Sequence, residues 1–429
     1  MLAVLSSSWA LLLGVLLLMV GNGLQGSLIG IRGAIENFTT SELSIITSAY
    51  FVGFLFGSRF APEMIRRVGH VRVFAALGSL VSAILILYPA ITEPWAWILL
   101  RVLFGFSFSG VYVTAESWLN NSATNETRGK ALSLYMIVQM SGIVASQALL
   151  NVGDPADYLL FIIPSVLVSL SFAPILLSVS PTPAFETSKA MNLVELYRIS
   201  PTSVVGMFLM GAVFSAQFGM ASIFGTQAGL SVSEIGVFVS AIFLGGMILQ
   251  YPIGWMSDRM DRRVLIFALA IGGIGAGAVG LLFGGAFELL IFAAFLMGGV
   301  SNPLYALIIA YTNDYLETDE MAAASGGLIF INGTGAIVGP IVTGWAMGIF
   351  GPRGFWAYLL IVMALLAAYV AYRMTQRATL YAGEEDYDAV AYAPIFASAT
   401  PVVGEFAQEV YAENAESEEN ETTALNSPS

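Results

Sequence analysis

The stretch Ser41-Glu42-Leu43-Ser44-Ile45-Ile46-Thr47-Ser48-Ala49-Tyr50-Phe51-Val52-Gly53 is matched, 192 residues further on, by Ser233-Glu234-Ile235-Gly236-Val237-Phe238-Val239-Ser240-Ala241-Ile242-Phe243-Leu244-Gly245. Six of the thirteen positions are identical, and several others exchange one apolar residue for another. Gln25 falls on Gln217 at the same offset. At an offset of 193, Gly105 meets Gly298, Tyr112 meets Tyr305, Asn120 meets Asn313 and Gly142 meets Gly335. A register held across most of half a chain marks an internal repeat rather than chance similarity among glycine-rich apolar segments. The chain therefore reads as two related halves.

Composition says what kind of halves these are. Of 429 residues, 57% are apolar and 10% charged, with a mean hydropathy of +0.80, whereas soluble domains carry about 25% charged residues. This is a membrane protein. The formal charge of -13 is concentrated in residues 375–429, which hold 11 acids and one base, so the body is nearly balanced. The absence of cysteine excludes disulfides, thiol nucleophiles and Cys-ligated metals, and a single histidine argues against a His-based metal or catalytic site. No cofactor is expected, and nothing suggests an enzyme or a nucleic-acid partner.

A helix needs about 20 apolar residues to cross the hydrocarbon core, while barrel strands show alternating segments of about ten. Twelve long apolar runs precede the tail, at 9–31, 43–60, 71–91, 95–118, 131–152, 158–179, 202–225, 235–256, 264–283, 287–311, 322–349 and 355–373. The first lacks a basic n-region and is read as a retained span. The fold expected is an all-α membrane protein of twelve spans: a six-helix bundle over 1–179, a central loop over 180–201, a second bundle over 202–374 and an acidic, disordered tail over 375–429. Basic residues in short loops, Arg66, Arg67, Arg72, Arg128, Lys130, Lys189, Arg198, Arg259, Arg262, Arg263, Arg373 and Arg377, share one side, while Arg32 and Arg353 lie opposite. The positive-inside rule then puts both termini in the cytoplasm.

Gly254-Trp255-Met256-Ser257-Asp258-Arg259-Met260-Asp261-Arg262-Arg263 resembles the loop signature G-x-x-x-D-R-x-G-R-R of the major facilitator superfamily, with Asp261 in place of the second glycine. The first-half copy at 62–71 is degraded, with Pro62 for the glycine and Arg66 for the aspartate, but it keeps Arg67 and Gly69. Arg101-x-x-x-Gly105 resembles the helix 4 arginine motif, and Glu116 with Arg128-Gly129 the loop 4-5 pattern. The resemblance spans residues 9 to 374. It implies a secondary transporter of the bacterial efflux or uptake type, working by rocker-switch alternating access in the bacterial inner membrane. In drug antiporters of the superfamily a Gly-Pro motif sits in helix 5; here helix 5 has Gly142-x-x-x-Ser146-Gln147, and the better copy is Gly339-Pro340 in span 11.

In the family arrangement, the cytoplasmic end of helix 2 faces helix 11 and that of helix 8 faces helix 5. Arg66 and Arg67 would then oppose Asp314, Glu317, Asp319 and Glu320, and Asp258 and Asp261, beside Arg259, would oppose Arg128 and Lys130. With Glu116 near the same end, these groups are expected to form a cytoplasmic gate that is latched in the outward-open state. Ordinary positive-inside loops with solvated acids nearby are the other reading.

Ionisable residues within spans are functional candidates by default. Arg101 lies about 9 Å inside the outer end of span 4, and Phe108, Tyr112 and Glu116 share its helical face. The cavity is expected to be lined by Arg101 and Tyr112 together with Asn22, Gln25, Gln139, Gln217, Asn302, Tyr305 and Asn332. The alternatives are a snorkelling arginine and amides that merely join helices. The expected partners are the lipid bilayer and a small organic solute, and the chain is expected to act as a monomer. Coupling to protons stays open, because no span centre carries an acid. A second function class, a sensor or scaffold that has kept the fold and lost transport, is compatible with the degraded first-half motif.

Overall fold

The computed structural model describes residues 2–122, 128–177, 191–316 and 318–376, together with 392, 393, 395, 400, 402 and 403 of the tail. The described chain is helical, and its helices follow the twelve apolar runs. The first half comprises α1 (Leu2–Ile35), α2 (Thr40–Val68), α3 (His70–Ala90), α4 (Pro94–Ser122), α5 (Arg128–Leu149) and α6 (Leu159–Leu177). A short helix in the central connection, α7 (Leu193–Ile199), precedes span 7. That span is built from α8 (Pro201–Ser215), a π-helical turn (Ala216–Met220) and α9 (Ala221–Gln227). Then come α10 (Val232–Ser257), α11 (Arg262–Phe283), α12 (Phe287–Asn313), α13 (Thr318–Phe350) and α14 (Arg353–Gln376). Eleven of these helical runs are long and apolar enough to cross a bilayer, and the shorter α6 completes the first six.

Helix ends extend past the hydropathic runs because polar residues can cap them. Thr39 accepts a hydrogen bond from Glu42 N at 3.2 Å while the Glu42 carboxylate accepts from Thr39 N at 2.8 Å. Ser231 and Glu234 repeat this capping box at the repeat offset. Asp261, the residue that departs from the loop signature, caps α11 by accepting from Arg263 N at 2.8 Å. Gly69 alone joins α2 to α3 at φ 84°, a conformation that an L side chain rarely adopts.

Packing carries the same repeat. Helices in lipid have little hydrophobic drive to associate, so small residues that admit a neighbouring backbone decide which pairs form. A Cβ at Gly53 of α2 would lie 2.8 Å from the Val102 carbonyl carbon of α4; a Cβ at Gly245 of α10 would lie 2.8 Å from the Phe295 carbonyl carbon of α12. Gly142 packs on α1 at Leu16 and Met19, and its counterpart Gly335 packs on α8 at Phe208. Gly23 meets Ser146 across α1 and α5, whereas Ser215 meets Gly339 across α8 and α13, so the glycine and serine have changed sides. Trp95, Tyr251, Trp255 and Trp345 are exposed near helix ends, as aromatic residues are at a membrane interface.

The end carrying Arg66, Arg67, Arg72, Lys130, Arg259, Arg262, Arg263 and Arg373 is here called the basic end, and the other the far end. Close contacts between the bundles lie toward the far end. There Gly30 of α1 abuts Ser222 and Ile223 of α9, Gly344 of α13 abuts Ser44 of α2, and Gly236 of α10 abuts Gln147 of α5. Ser48 Oγ donates across the same seam to Ile337 O at 2.7 Å.

Candidate functional site

Beneath the far-end contacts an aromatic layer joins the halves. Tyr50 and Phe218 have ring centroids 6.1 Å apart, and Phe51 and Phe214 lie at 6.3 Å. Phe104 and Phe108 stack along α4 at 5.4 Å, and Phe108 meets Tyr112 edge-on at 5.1 Å. A cavity of about 30 Å³, near the volume of one water, sits between α2, α8 and α13, with Tyr50, Phe54, Phe214 and Asn332 among its walls.

Arg101 does not snorkel. It is 1% exposed, donates from Nη1 to Gln25 Oε1 at 2.6 Å, and lies with its guanidinium carbon 4.9 Å from the centre of the Tyr50 ring. The Tyr88 hydroxyl stands close enough to interact with it electrostatically. Arg101 and Gln25, expected separately as cavity residues, are therefore one constellation with Tyr50. Among the described residues no carboxylate lies within ion-pair distance of Arg101. Neither its Nε nor Gln25 Nε2 has a hydrogen-bond partner there. A buried cation without a counter-ion is costly, so this site is suited to an anionic or acceptor group.

The other expected lining residues divide. Gln217 lies in the π-helical turn of span 7 and accepts from Ser301 Oγ at 3.0 Å, while its Nε2 has no described partner. Such turns are common at functional sites because they re-aim side chains. Asn22 is buried beside Tyr50. Tyr305 is buried with its hydroxyl unpartnered among the described residues, and it lies within electrostatic range of Glu116. Tyr112 donates to Met19 Sδ at 3.0 Å, and Gln139 lies against Tyr135. Asn302 serves packing: its Nδ2 donates to Gly298 O of its own helix at 3.1 Å and it fills the space over Gly246.

At the basic end, where a latch is expected in the outward-open state, the described charges pair within their own bundles. Arg66 and Arg67 both bind Glu63, at 2.6 and 2.8 Å, one helical turn away. Arg262 binds Asp314 and approaches Asp258 at 3.6 Å, and Arg263 binds Asp261 at 2.9 Å. Each of these described pairs lies within one bundle. Arg66, Arg67 and Arg263 take acids close by in sequence, which are always within reach, whereas Arg262 reaches Asp314 at the end of α12. Arg259 stacks on Trp255 at 4.4 Å, and Lys130 and Glu320 are exposed. Glu317 and the side chains of Arg128 and Asp319 lie outside the described residues. His70, the single histidine and the first residue of α3, is 2% exposed, with its Nε2 3.0 Å from Ser117 Oγ.

Glu116 is 1% exposed and accepts from the Tyr135 hydroxyl at 3.1 Å. Its other carboxylate oxygen accepts from Thr400, a residue of the tail. Tyr392 of the tail donates its backbone N–H to Asp258 Oδ1 at 2.9 Å, and its hydroxyl accepts from Gln250 Nε2 at 2.7 Å. Burial pushes the Asp258 carboxyl above its ordinary range, against the Tyr392 hydrogen bond and the nearby Arg262 and Arg259 charges that pull it down. The six described tail residues are thus part of the site rather than a solvated appendage. A sequence signal for this exists: residues 389–404 contain no charge, in a tail that is otherwise acidic.

Comparison with known proteins places this geometry. The sequence matches the Major Facilitator Superfamily over residues 11–216 and 203–390. It is 26% identical over 375 residues to an uncharacterized MFS-type transporter of Enterobacter sp. (strain 638), covering 86% of this chain and 94% of the relative. It is 25% identical over 345 residues to the uncharacterized MFS-type transporter YcaD of Escherichia fergusonii, covering 79% and 88%. In fold it resembles the nucleoside transporter NupG (D323A mutant), with a TM-score of 0.72 at 14% identity over 85% of this chain and all of that one. It also resembles a bacterial homolog of the human lysosomal transporter Spinster in an inward-facing, unoccupied conformation, with a TM-score of 0.62 at 15% identity over 95% and 96% of the two chains. With two repeated six-helix bundles, the loop and helix 4 motifs and this match across both halves, the chain is a membrane transporter that belongs to the major facilitator superfamily.

Proposed function

We propose that this chain moves a small organic solute across the bacterial inner membrane by alternating access, with its basic end in the cytoplasm and Arg101 as the principal solute-binding group. The observation that carries the reading is the one-sided seam between the bundles: close glycine and serine contacts at the far end, and beneath them a buried arginine with no described counter-ion, set against an aromatic layer. Such a seam belongs to one of two alternating states, here the inward-facing one. The solute that suits it carries an apolar or aromatic body for Tyr50, Phe54 and Phe218, and an anionic or acceptor group for Arg101 and Gln25.

The test begins with a thermal-shift screen of the purified protein against metabolites and drugs, followed by flux of each hit in proteoliposomes with and without a pH gradient. Flux is expected for a binding solute, and Arg101→Ala is expected to abolish it. Dependence on the gradient would assign proton coupling. Solutes that bind without being carried would overturn the transport reading and favour a sensor or scaffold.

A further inference from the structure

The tail residues meet both halves of the protein at its basic end. Thr400 and Val403 are 0% exposed, Ile395 1% and Ala393 2%. Thr400 is held by Glu116 of α4, in the first bundle, and Tyr392 by Asp258 and Gln250 at the end of α10, in the second. The Tyr392 ring stands over Gly254, where a Cβ would approach it to 2.6 Å, and closes one side of a crevice of about 510 Å³ between α5 and α10. Met136, Met140 and Met247 line that crevice, which is soft, apolar and adaptable.

The sequence of the tail fits such an occupant. Residues 389–404 are uncharged and rich in alanine, valine and proline. They are preceded by Glu384, Glu385, Asp386 and Asp388 and followed by Glu405 and Glu409. An apolar island can enter a crevice that acids cannot, and the acids flanking it in sequence are opposite in sign to the basic end, which carries Arg66, Arg67, Arg72, Lys130 and Arg259. The island is tethered to α14, so its docking is intramolecular, with an effective concentration on the order of millimolar for short linkers. Weak individual contacts then suffice.

We infer that the tail island around Tyr392 and Thr400 is a built-in plug of the cavity mouth, which occupies the basic end and must leave before the two bundles can close there. Occupancy of the mouth stands on the contacts above, while its consequence for turnover rests on the alternating-access reading. The plug engages Glu116, the buried carboxylate of that mouth, and Asp258, an acid of the loop signature. The protein would therefore be held inward-facing and self-inhibited until something competes for the tail.

The chain has no native cysteine, which makes single-cysteine accessibility a clean readout that needs no solute. A Met140→Cys reporter is treated with a membrane-impermeant maleimide from the basic end in three chains: the full chain, a chain ending at Gln376, and a full chain carrying Val402→Asp and Val403→Asp. Labelling of the full chain is expected to be about tenfold slower than of the other two, as for a mouth open about a tenth of the time. A synthetic peptide of residues 389–404 is expected to restore protection to the shortened chain. Equal rates in all three would overturn the plug. In a second measurement that needs no truncation, Val403→Cys in the otherwise full chain is expected to be protected. Labelling as fast as a cysteine at Ser429 would overturn the docking itself. Flux enters neither measurement, so a failed transport assay and a failed plug remain distinguishable.

Discussion

The far-end seam makes a quantitative prediction about conformational balance. At Gly30 an added methyl would lie 2.8 Å from Ile223 N, and at Gly344 it would lie 2.6 Å from Ser44 Oγ, where ordinary contact begins near 3.4 Å. The bundles would have to part by several tenths of an ångström at each position. Overpacking on this scale costs about 1–3 kcal/mol. Because these contacts cross between bundles, alternating access predicts that the cost falls on the inward-facing state alone. The ratio of the two states should shift by about 5-fold to 150-fold toward outward opening. A reporter Thr47→Cys, buried at the seam against Gly219, is labelled from the far side with an impermeant maleimide. Gly30→Ala and Gly344→Ala should each speed its labelling, whereas Gly348→Ala, with open space around the new methyl, should not. If the seam variants label no faster than the Gly348 variant, the seam is not the gate and the reasoning is wrong.

Glycines within a bundle should behave differently. Gly53→Ala and Gly245→Ala, at equivalent places in the repeat, should each lower stability by about 1–3 kcal/mol in thermal or denaturant melts without changing Thr47→Cys labelling. Gly275→Ala, whose methyl would meet nothing within 4 Å, should be neutral or mildly stabilising through helix propensity. Loss of the capping boxes by Thr39→Ala or Ser231→Ala should cost about 1 kcal/mol each in the same melts, and the two losses should add, because the boxes belong to different bundles.

Much of the fold was legible because its causes are local. Hydropathy reports the transfer of each segment into lipid, and so the twelve runs became helices. The repeat reports shared packing, and so Gly53 and Gly245, Gly142 and Gly335, and the two capping boxes recur in equivalent places. The site was legible only as an inventory. Arg101, Gln25, Gln217 and Tyr305 were identified as intramembrane polar groups, but their pairing depends on how each helix is rotated against its neighbours. Asn302 shows the difference: an amide of the right type in the right span, it is used by its own backbone and by Gly246.

Charge pairing at the basic end depends on which state the bundles adopt. Complementary loops suggest partners across the bundles in the outward-open state, and in this structure Arg66 and Arg67 turn to Glu63, and Arg262 and Arg263 to acids of their own bundle. Sign and side of the membrane are properties of sequence, whereas the choice among several reachable partners is made by distance.

By itself, then, the sequence determined that this is a twelve-helix, two-bundle membrane protein with one arginine deep in span 4, because burial of apolar helices and recurrence of small residues are written residue by residue. Only the tertiary structure decided that Arg101 faces Gln25 and Tyr50, that the far end holds the seam, and that Thr400 rests on Glu116 from 284 positions away. Those contacts join segments with no local influence on one another. Their energies exist only once the helices have packed and the mouth between the bundles has taken shape.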